Sequence, residues 1–515
     1  MADMEKQEGL QLEEVEALAN EFTLEDLAEF DDGLEFEASD LDSIKPTYTK
    51  KQKAKMILMN NTVFSIIKWC IAGLGLVGLV FHILALVSPD ISESLSTTVS
   101  AAVRGALAAV SNLVPVSLME ILVLVVLAGI LGYAGFLVYK SIKAKEGIKI
   151  AGIWVQFGYV LVAIFGFGYL LFALSYGVTT NRPMLHESEL KDYRPNYFTE
   201  RALDSSMIYY SDKINEVAVE AIENKSIFYT PAGKSQYAST GKSLEEIGEA
   251  VNACFDLAAE DFGFAEGGKV VVKEMMATQL YSAMGIGSMF SPVTGEVLIN
   301  TDYPEVIIPM QVAKAIAKQR GITNDADASM VAFLVCSQYA DKLSGVDGDY
   351  NSDYIKYAAY MDAYLEVSNL VYKLSGADVH LYCSAALKES AKKDVIALIK
   401  EIDALYGNIS NLEEFDASTQ KTSTDDYKNL AKHLYGEYTR KVDSDELSLS
   451  YSDKEAVPPS KLDAYFYERY LVAYFTADQD WADDAVEMYE VNRTEPEENN
   501  NPDDYKHLIT SEPTK

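Results

Sequence analysis

A chain of 515 residues is long enough for several domains. Its formal net charge of -35 argues against nucleic acid as a partner, because phosphate backbones demand lysine and arginine. Four cysteines, Cys70, Cys254, Cys336 and Cys383, are too scattered for a disulfide framework or a thiolate metal site. No two of the five histidines, His82, His186, His380, His433 and His507, lie within one helical turn, so no local His-His chelate is available.

Residues 1–50 read as an acidic, disordered cytoplasmic tail. Met1 to Ser43 hold sixteen carboxylates against one lysine, and so few apolar groups cannot offset chain entropy. Within it Leu24, Leu27 and Phe30 would line one face of a short helix if a cytoplasmic partner engaged residues 1–44. Residues 51–180 then carry three apolar runs of bilayer-spanning length, at about 63–87, 118–138 and 153–174. A signal peptide is excluded for the first run, since more than sixty mostly polar residues precede it. Small residues, Gly73, Gly75 and Gly78 in the first run and Ala128 and Gly132 in the second, permit close helix contact or simply face lipid.

Lysine placement sets the expected direction. Lys45, Lys50, Lys51, Lys53 and Lys55 precede the first run, and Lys140, Lys143, Lys145 and Lys149 fill the loop between the second and third. The loop between the first and second holds only Arg104. The positive-inside rule therefore puts the N-terminus and the 140–149 loop in the cytoplasm and everything after Ser175 outside.

The outer domain is expected over residues 183–485, α+β but mostly helical. Helical patterns run over 198–223 and 243–262. "KVVVKEMM" reads as a strand, and "SPVTGEVLINTD" as a turn at Thr294-Gly295 followed by a second strand, Glu296 to Asn300. In "QVAKAIAKQRG" the residues Val312, Ala313, Ile316 and Ala317 recur at helical spacing and face a core, yet Lys314 and Lys318 stand one turn apart beside that stripe. Further on, Tyr354, Tyr357, Tyr360 and Tyr364 share one helical face and read as a core stripe rather than a binding strip. Residues 486–515 form a second acidic tail expected to be disordered.

The stretches "MGIGSMFSPVTGEVLINTDYP", "AKAIAKQRG", "DASMVAFLVC" and "YAAYMDAYLEVSNLVYKL", with "NLVPVSLMEILVLVVL" and "YGVTTNRPML" upstream, resemble one family. It is a family of uncharacterised bacterial membrane proteins, domain of unknown function 3810. The likeness covers most of residues 62–380. That resemblance implies a zincin-like fold whose pattern before "QRG" is HExxH, followed by a Glu in the next helix. In such a site two histidines bind zinc and the glutamate between them activates water. Carried over by position, the first histidine is Lys314, the glutamate Ala315, the second histidine Lys318 and the later glutamate Asp327. An ammonium offers no lone pair, and alanine cannot deprotonate water. The resemblance therefore implies a degenerate site with no metal and no cofactor, in which the lysines stand in for the zinc charge and pair with Asp327.

Three functions compete. The first is a pseudopeptidase at the cell envelope that binds a peptide or envelope protein along an edge strand formed by Glu296, Val297, Leu298, Ile299 and Asn300, or serves as a scaffold. The second is an active metallohydrolase whose ligands have moved, with His186, His380 or His433 converging on Asp302, Asp325 or Asp327. The third is a membrane sensor or adaptor acting through its acidic tail. The lipid bilayer is a partner in all three.

Overall fold

The computed structural model describes residues 62–143, 147–194, 198–228, 238–263, 270–345, 352–388, five positions between 391 and 398, and 465–477. The expectations for the tails, 1–50 and 486–515, and for His433 fall outside the described residues. The chain divides into two compact units, of which the larger comprises Asn61–Lys143 with Gln156–Lys515.

Among the described residues three helices are long and apolar enough to cross a membrane: α1 (Thr62–Val87), α4 (Leu118–Lys143) and α5 (Gly147–Ser175). They match the apolar runs, but α4 extends over Lys140 and Lys143 and α5 begins before Lys149, residues that the sequence suggested were loop. Lys140 and Lys143 sit in the last turn of α4, where a cation complements the carbonyl end of the helix dipole. Their ammonium groups lie over Phe136 and Tyr139. The small residues split into two classes. A Cβ on Gly75 would stand 2.8 Å from the Gly166 Cα, and one on Gly78 would stand 2.9 Å from the Leu170 Cα. Gly73 and Gly132 have nothing within 4 Å. Close packing of α1 on α5 thus uses two glycines. His82 and Tyr169 add a 2.8 Å hydrogen bond between the same helices.

The connection between the first two spans is ordered. Pro89 opens α2 (Pro89–Leu95), a π-helical turn follows at Ser96–Ser100, and α3 (Ala101–Ser111) completes it. Ser92 and Ser100 donate to the carbonyls of Val178 and Ser175, binding the connection to the end of α5. The lone Arg104 is buried. Its guanidinium donates to Ser100 Oγ and to the carbonyls of Ser96, Ser175 and Arg320. Burial, with the charge of Arg182 as a second cause, lowers its pKa to about 10.

The remaining helices build the large domain at that same end of the spans. They are α6 (Glu200–Glu223), capped by Thr199, and α7 (Leu244–Phe262), opened by a Ser243/Glu246 capping box. Next come β1 (Val272–Glu274), α8 (Thr278–Ala283), β2 (Ser288–Phe290) and β3 (Val297–Ile299). Then α9 (Ile308–Gln319), α10 (Asp325–Gln338), α11 (Asp353–Leu374), α12 (Ala377–Ser384) and α13 (Phe466–Ala477) follow. The tyrosine stripe of α11 is buried in the core, as its spacing predicted.

The sheet corrects one expectation. Its order is β1-β3-β2, with β3 parallel to β1 and antiparallel to β2. The stretch Glu296 to Asn300 therefore contains the central strand, both of whose backbone edges are already paired, and all five residues are buried. It has no free edge on which a peptide could add. The third strand, β2, escaped sequence reading because three residues flanked by Gly287 and Pro292 carry no period-two signal.

Glu296 has a different task. Its carboxylate accepts from the backbone N–H groups of Leu118 at 2.8 Å and Met119 at 2.7 Å, satisfying free donors at the start of α4. It also pairs with Lys273 at 2.5 Å, with side-chain exposures of 0 % and 1 %. Lys273 in turn donates to the Ser111 carbonyl. Glu120, one turn into α4, accepts from the N–H groups of Met276 and Ala277. Two carboxylates thus fasten the second span to the sheet from opposite directions.

Candidate functional site

Helix α9 is short and amphipathic. Pro309 lies in its first turn, and Val312, Ala313, Ile316 and Ala317 are fully buried against the sheet and neighbouring helices. Ala315 is buried too. Lys314 and Lys318 emerge half-buried from the same helix. The turn that ends α9 is left-handed at Gly321 (φ +99°), and the space a Cβ would occupy there is filled by the Arg104 guanidinium. The "QRG" ending is thereby locked to the connection between the first two spans.

Lys314 Nζ lies 2.8 Å from Asp362 Oδ1 on α11. It also sits over the Tyr467 ring of α13 at 5.3 Å, and the Tyr467 hydroxyl donates to the other Asp362 oxygen. Glu366, one turn beyond Asp362, and Glu468 complete the surrounding charges. Burial pulls the Lys314 pKa down, but the fields of Asp362, Glu366 and Glu468 outweigh it and the net shift is upward. Lys314 therefore stays an ammonium. The Glu366 carboxyl also moves upward, and there burial is the leading cause. Burial, then the negative charge of Glu468, raises it to about 8, with Lys314 opposing. Lys318 pairs at 2.5 Å with Asp325, whose side chain is 85 % exposed.

Asp327 is the point of disagreement with the sequence reading. Neither lysine reaches it. Its carboxylate accepts instead from the Leu185 N–H at 3.1 Å and from the Tyr470 hydroxyl at 2.6 Å, and His186 Nδ1 lies 3.3 Å from that same hydroxyl. Burial raises the Asp327 pKa, against the lowering influence of those hydrogen bonds and of His186 and Arg182. The physical reason is competition. One neutral donor already occupies each oxygen of the buried group, and the lysines pair with Asp362 and Asp325 instead.

Asp327 also lines a cavity of about 180 Å³ together with Tyr176, Thr179, Arg182, Leu185 and Asn324. Arg182 forms a two-pronged pair with Glu93 and donates to the Gly321 carbonyl. The cavity therefore joins the segment leaving α5 to the start of α10.

The other residues considered from sequence do not converge. His186 comes close to Asp327 only through Tyr470. His380 is buried against Ser368 Oγ at 2.7 Å. The Asp302 N–H donates to the side chain of Asn300. Among the described residues no group of three His, Cys, Asp or Glu side chains could hold a metal ion. Lys314, Ala315 and Lys318 do not fit zinc either: two ion-paired ammonium groups and a buried alanine offer no donor atom. Sequence reading missed Asp362, Glu366, Tyr467 and Tyr470. The first two had a signal, carboxylates four apart on an otherwise apolar tyrosine-rich helix. The tyrosines of α13 had none, because they lie more than a hundred residues beyond their partners.

Fold and site together define a mostly helical protein with a small mixed sheet and, among the described residues, three helices long and apolar enough to span a membrane. The model of the family described as "Protein of unknown function (DUF3810)" matches residues 95–427, and the chain belongs to that family. No curated protein and no solved structure matches it.

Proposed function

We propose that this protein is a zincin-like pseudopeptidase of the cell envelope: a multi-pass anchor whose extracytoplasmic domain binds or scaffolds a peptide or envelope protein without cleaving it. The observation that carries the reading is the Lys314–Asp362 pair. It puts a permanently charged, carboxylate-held lysine where the family resemblance calls for the first metal ligand. Ala315, at the position of the general base, faces the core. The cavity beside Asp327 and Arg182 supports a retained binding role, with an acidic and a basic group both in its lining. The orientation rests on the lysines at the far end of α4. It also rests on Arg104, the one basic residue of the connection before α4, being consumed inside the fold.

The test is proteolysis. Full-length protein in lipid nanodiscs, with zinc chloride added, is incubated with a mixed peptide library and the products are read by mass spectrometry. The reading predicts no cleavage beyond that of empty nanodiscs. Cleavage that disappears in the Lys314→Ala or Asp327→Ala variant would overturn it.

A further inference from the structure

Besides the spans themselves, two long segments of this chain are free of charge although 23 % of its residues are charged: 105–119 and 275–295. The structure brings them to one place. Lys273 donates to Ser111 at the end of α3, within the first segment, and Gly295, at the end of the second, lies so close to α3 that a Cβ would stand 2.6 Å from the Ala108 nitrogen. Glu120 grips the backbone of Met276 and Ala277 directly, so the second segment starts beside the first turn of α4. Both segments are therefore held at the level where the second span leaves the apolar layer.

At that level they expose large apolar side chains. Val110, Leu113 and Val116 project from the first segment, and Met276, Leu280 and Met284 from the second, with exposures between 46 % and 82 %. Leu280 and Met284 are four apart and share one face of α8 and its C-terminal cap. Six large apolar side chains exposed on two neighbouring segments are unusual on a face bathed by water. The same surface is expected where a short helix lies in the plane of a bilayer, its apolar side among the upper acyl chains.

We propose that α8 and the 110–116 segment form an interfacial foot that seats the large domain in the lipid surface around the second span. The occupant of this apolar face is the bilayer, because the face continues directly from a membrane-spanning helix and carries no charge that a polar partner would need. The foot explains why Glu120 and Glu296 are buried at the joint. They hold the sheet at a fixed height above the acyl region, so that α8 meets lipid rather than water.

The test uses the full chain in phosphatidylcholine/phosphatidylglycerol nanodiscs. Cys70 is replaced by alanine, since it is the one exposed cysteine among the described residues. A nitroxide is placed at Leu280→Cys and, separately, at Leu113→Cys, two exposed positions where substitution leaves the core untouched, with Lys242→Cys as an aqueous reference. Power saturation compares collision with oxygen, which partitions into lipid, and with a water-soluble nickel chelate. The proposal predicts an oxygen-to-nickel ratio several-fold above the reference at both positions. A ratio equal to that at Lys242 would overturn it by showing a face in water. Shielding from both reagents would overturn it equally, by showing that protein, such as a second copy of this chain, covers the face.

Discussion

Replacing Glu296 by glutamine strikes the joint between sheet and second span. The wild-type carboxylate holds four donors: Lys273, two backbone N–H groups of α4 and the Thr294 hydroxyl. The amide keeps the shape and one acceptor oxygen but removes the charge, leaving the Lys273 ammonium buried with only the Ser111 carbonyl as a strong partner. Breaking a buried ion pair by removing one member costs about 3–5 kcal/mol, chiefly from the stranded charge. Loss of an anion at a helix N-terminus adds roughly 0.3–1 kcal/mol. The double replacement Lys273→Met with Glu296→Gln strands no charge and should recover most of this. Unfolding in mixed detergent micelles, followed by circular dichroism, measures a double-mutant cycle with a coupling of about 2 kcal/mol or more. Single variants each costing less than about 1 kcal/mol, or costs that simply add, would refute the claim that this pair holds the joint.

Other outcomes follow from the site. The folded state keeps the Glu366 proton up to about pH 8, whereas the unfolded chain releases it near 4.5. The folded state therefore binds more protons in that window, and stability falls as pH rises through it, by at most about 1.4 kcal/mol per unit. Glu366→Gln should flatten that slope in unfolding titrations at pH 5 to 8, and an unchanged slope would show that another group titrates. Gly321→Ala must place a Cβ both at positive φ and against Arg104, so it should lower stability by roughly 1–3 kcal/mol in thermal unfolding; an unchanged midpoint would mean the close approach is absent. A cysteine at Lys242, in the Cys70→Ala background, should react with an impermeant maleimide on intact cells. Labelling only after lysis would reverse the orientation. The other three cysteines are buried, with burial pushing the Cys254 thiol to about 12, so they should stay silent.

What could be read from sequence was what local pattern controls. The spans follow from apolar length, the tyrosine stripe and the buried face of α9 from helical spacing, and the turn before β3 from Thr294-Gly295. What escaped was set by pairing across distance. A three-residue strand has no period to detect, so the order β1-β3-β2 was invisible and β3 was mistaken for an edge. The lysines of α9 stand out in the sequence, but the partner expected for them, Asp327, is not the one they find. Asp327 lies nearer in sequence than Asp362, yet Tyr470, 143 residues away, and the Leu185 N–H occupy it first. Nothing in the sequence marks Arg104, Lys273 and Glu296 as buried, and only the fold shows that they are.

The most direct measurement of the central claim is zinc binding. Full-length protein in nanodiscs is stripped by chelator, dialysed against a graded series of zinc chloride, and its metal content read by inductively coupled plasma mass spectrometry. With Lys314 held as an ammonium by Asp362, Lys318 paired to Asp325, and Ala315 in the core, the account predicts no saturable uptake at micromolar zinc and no change on Lys314→Ala. One zinc per chain, bound saturably and lost when Lys314, Lys318 or Asp327 is replaced, would contradict it.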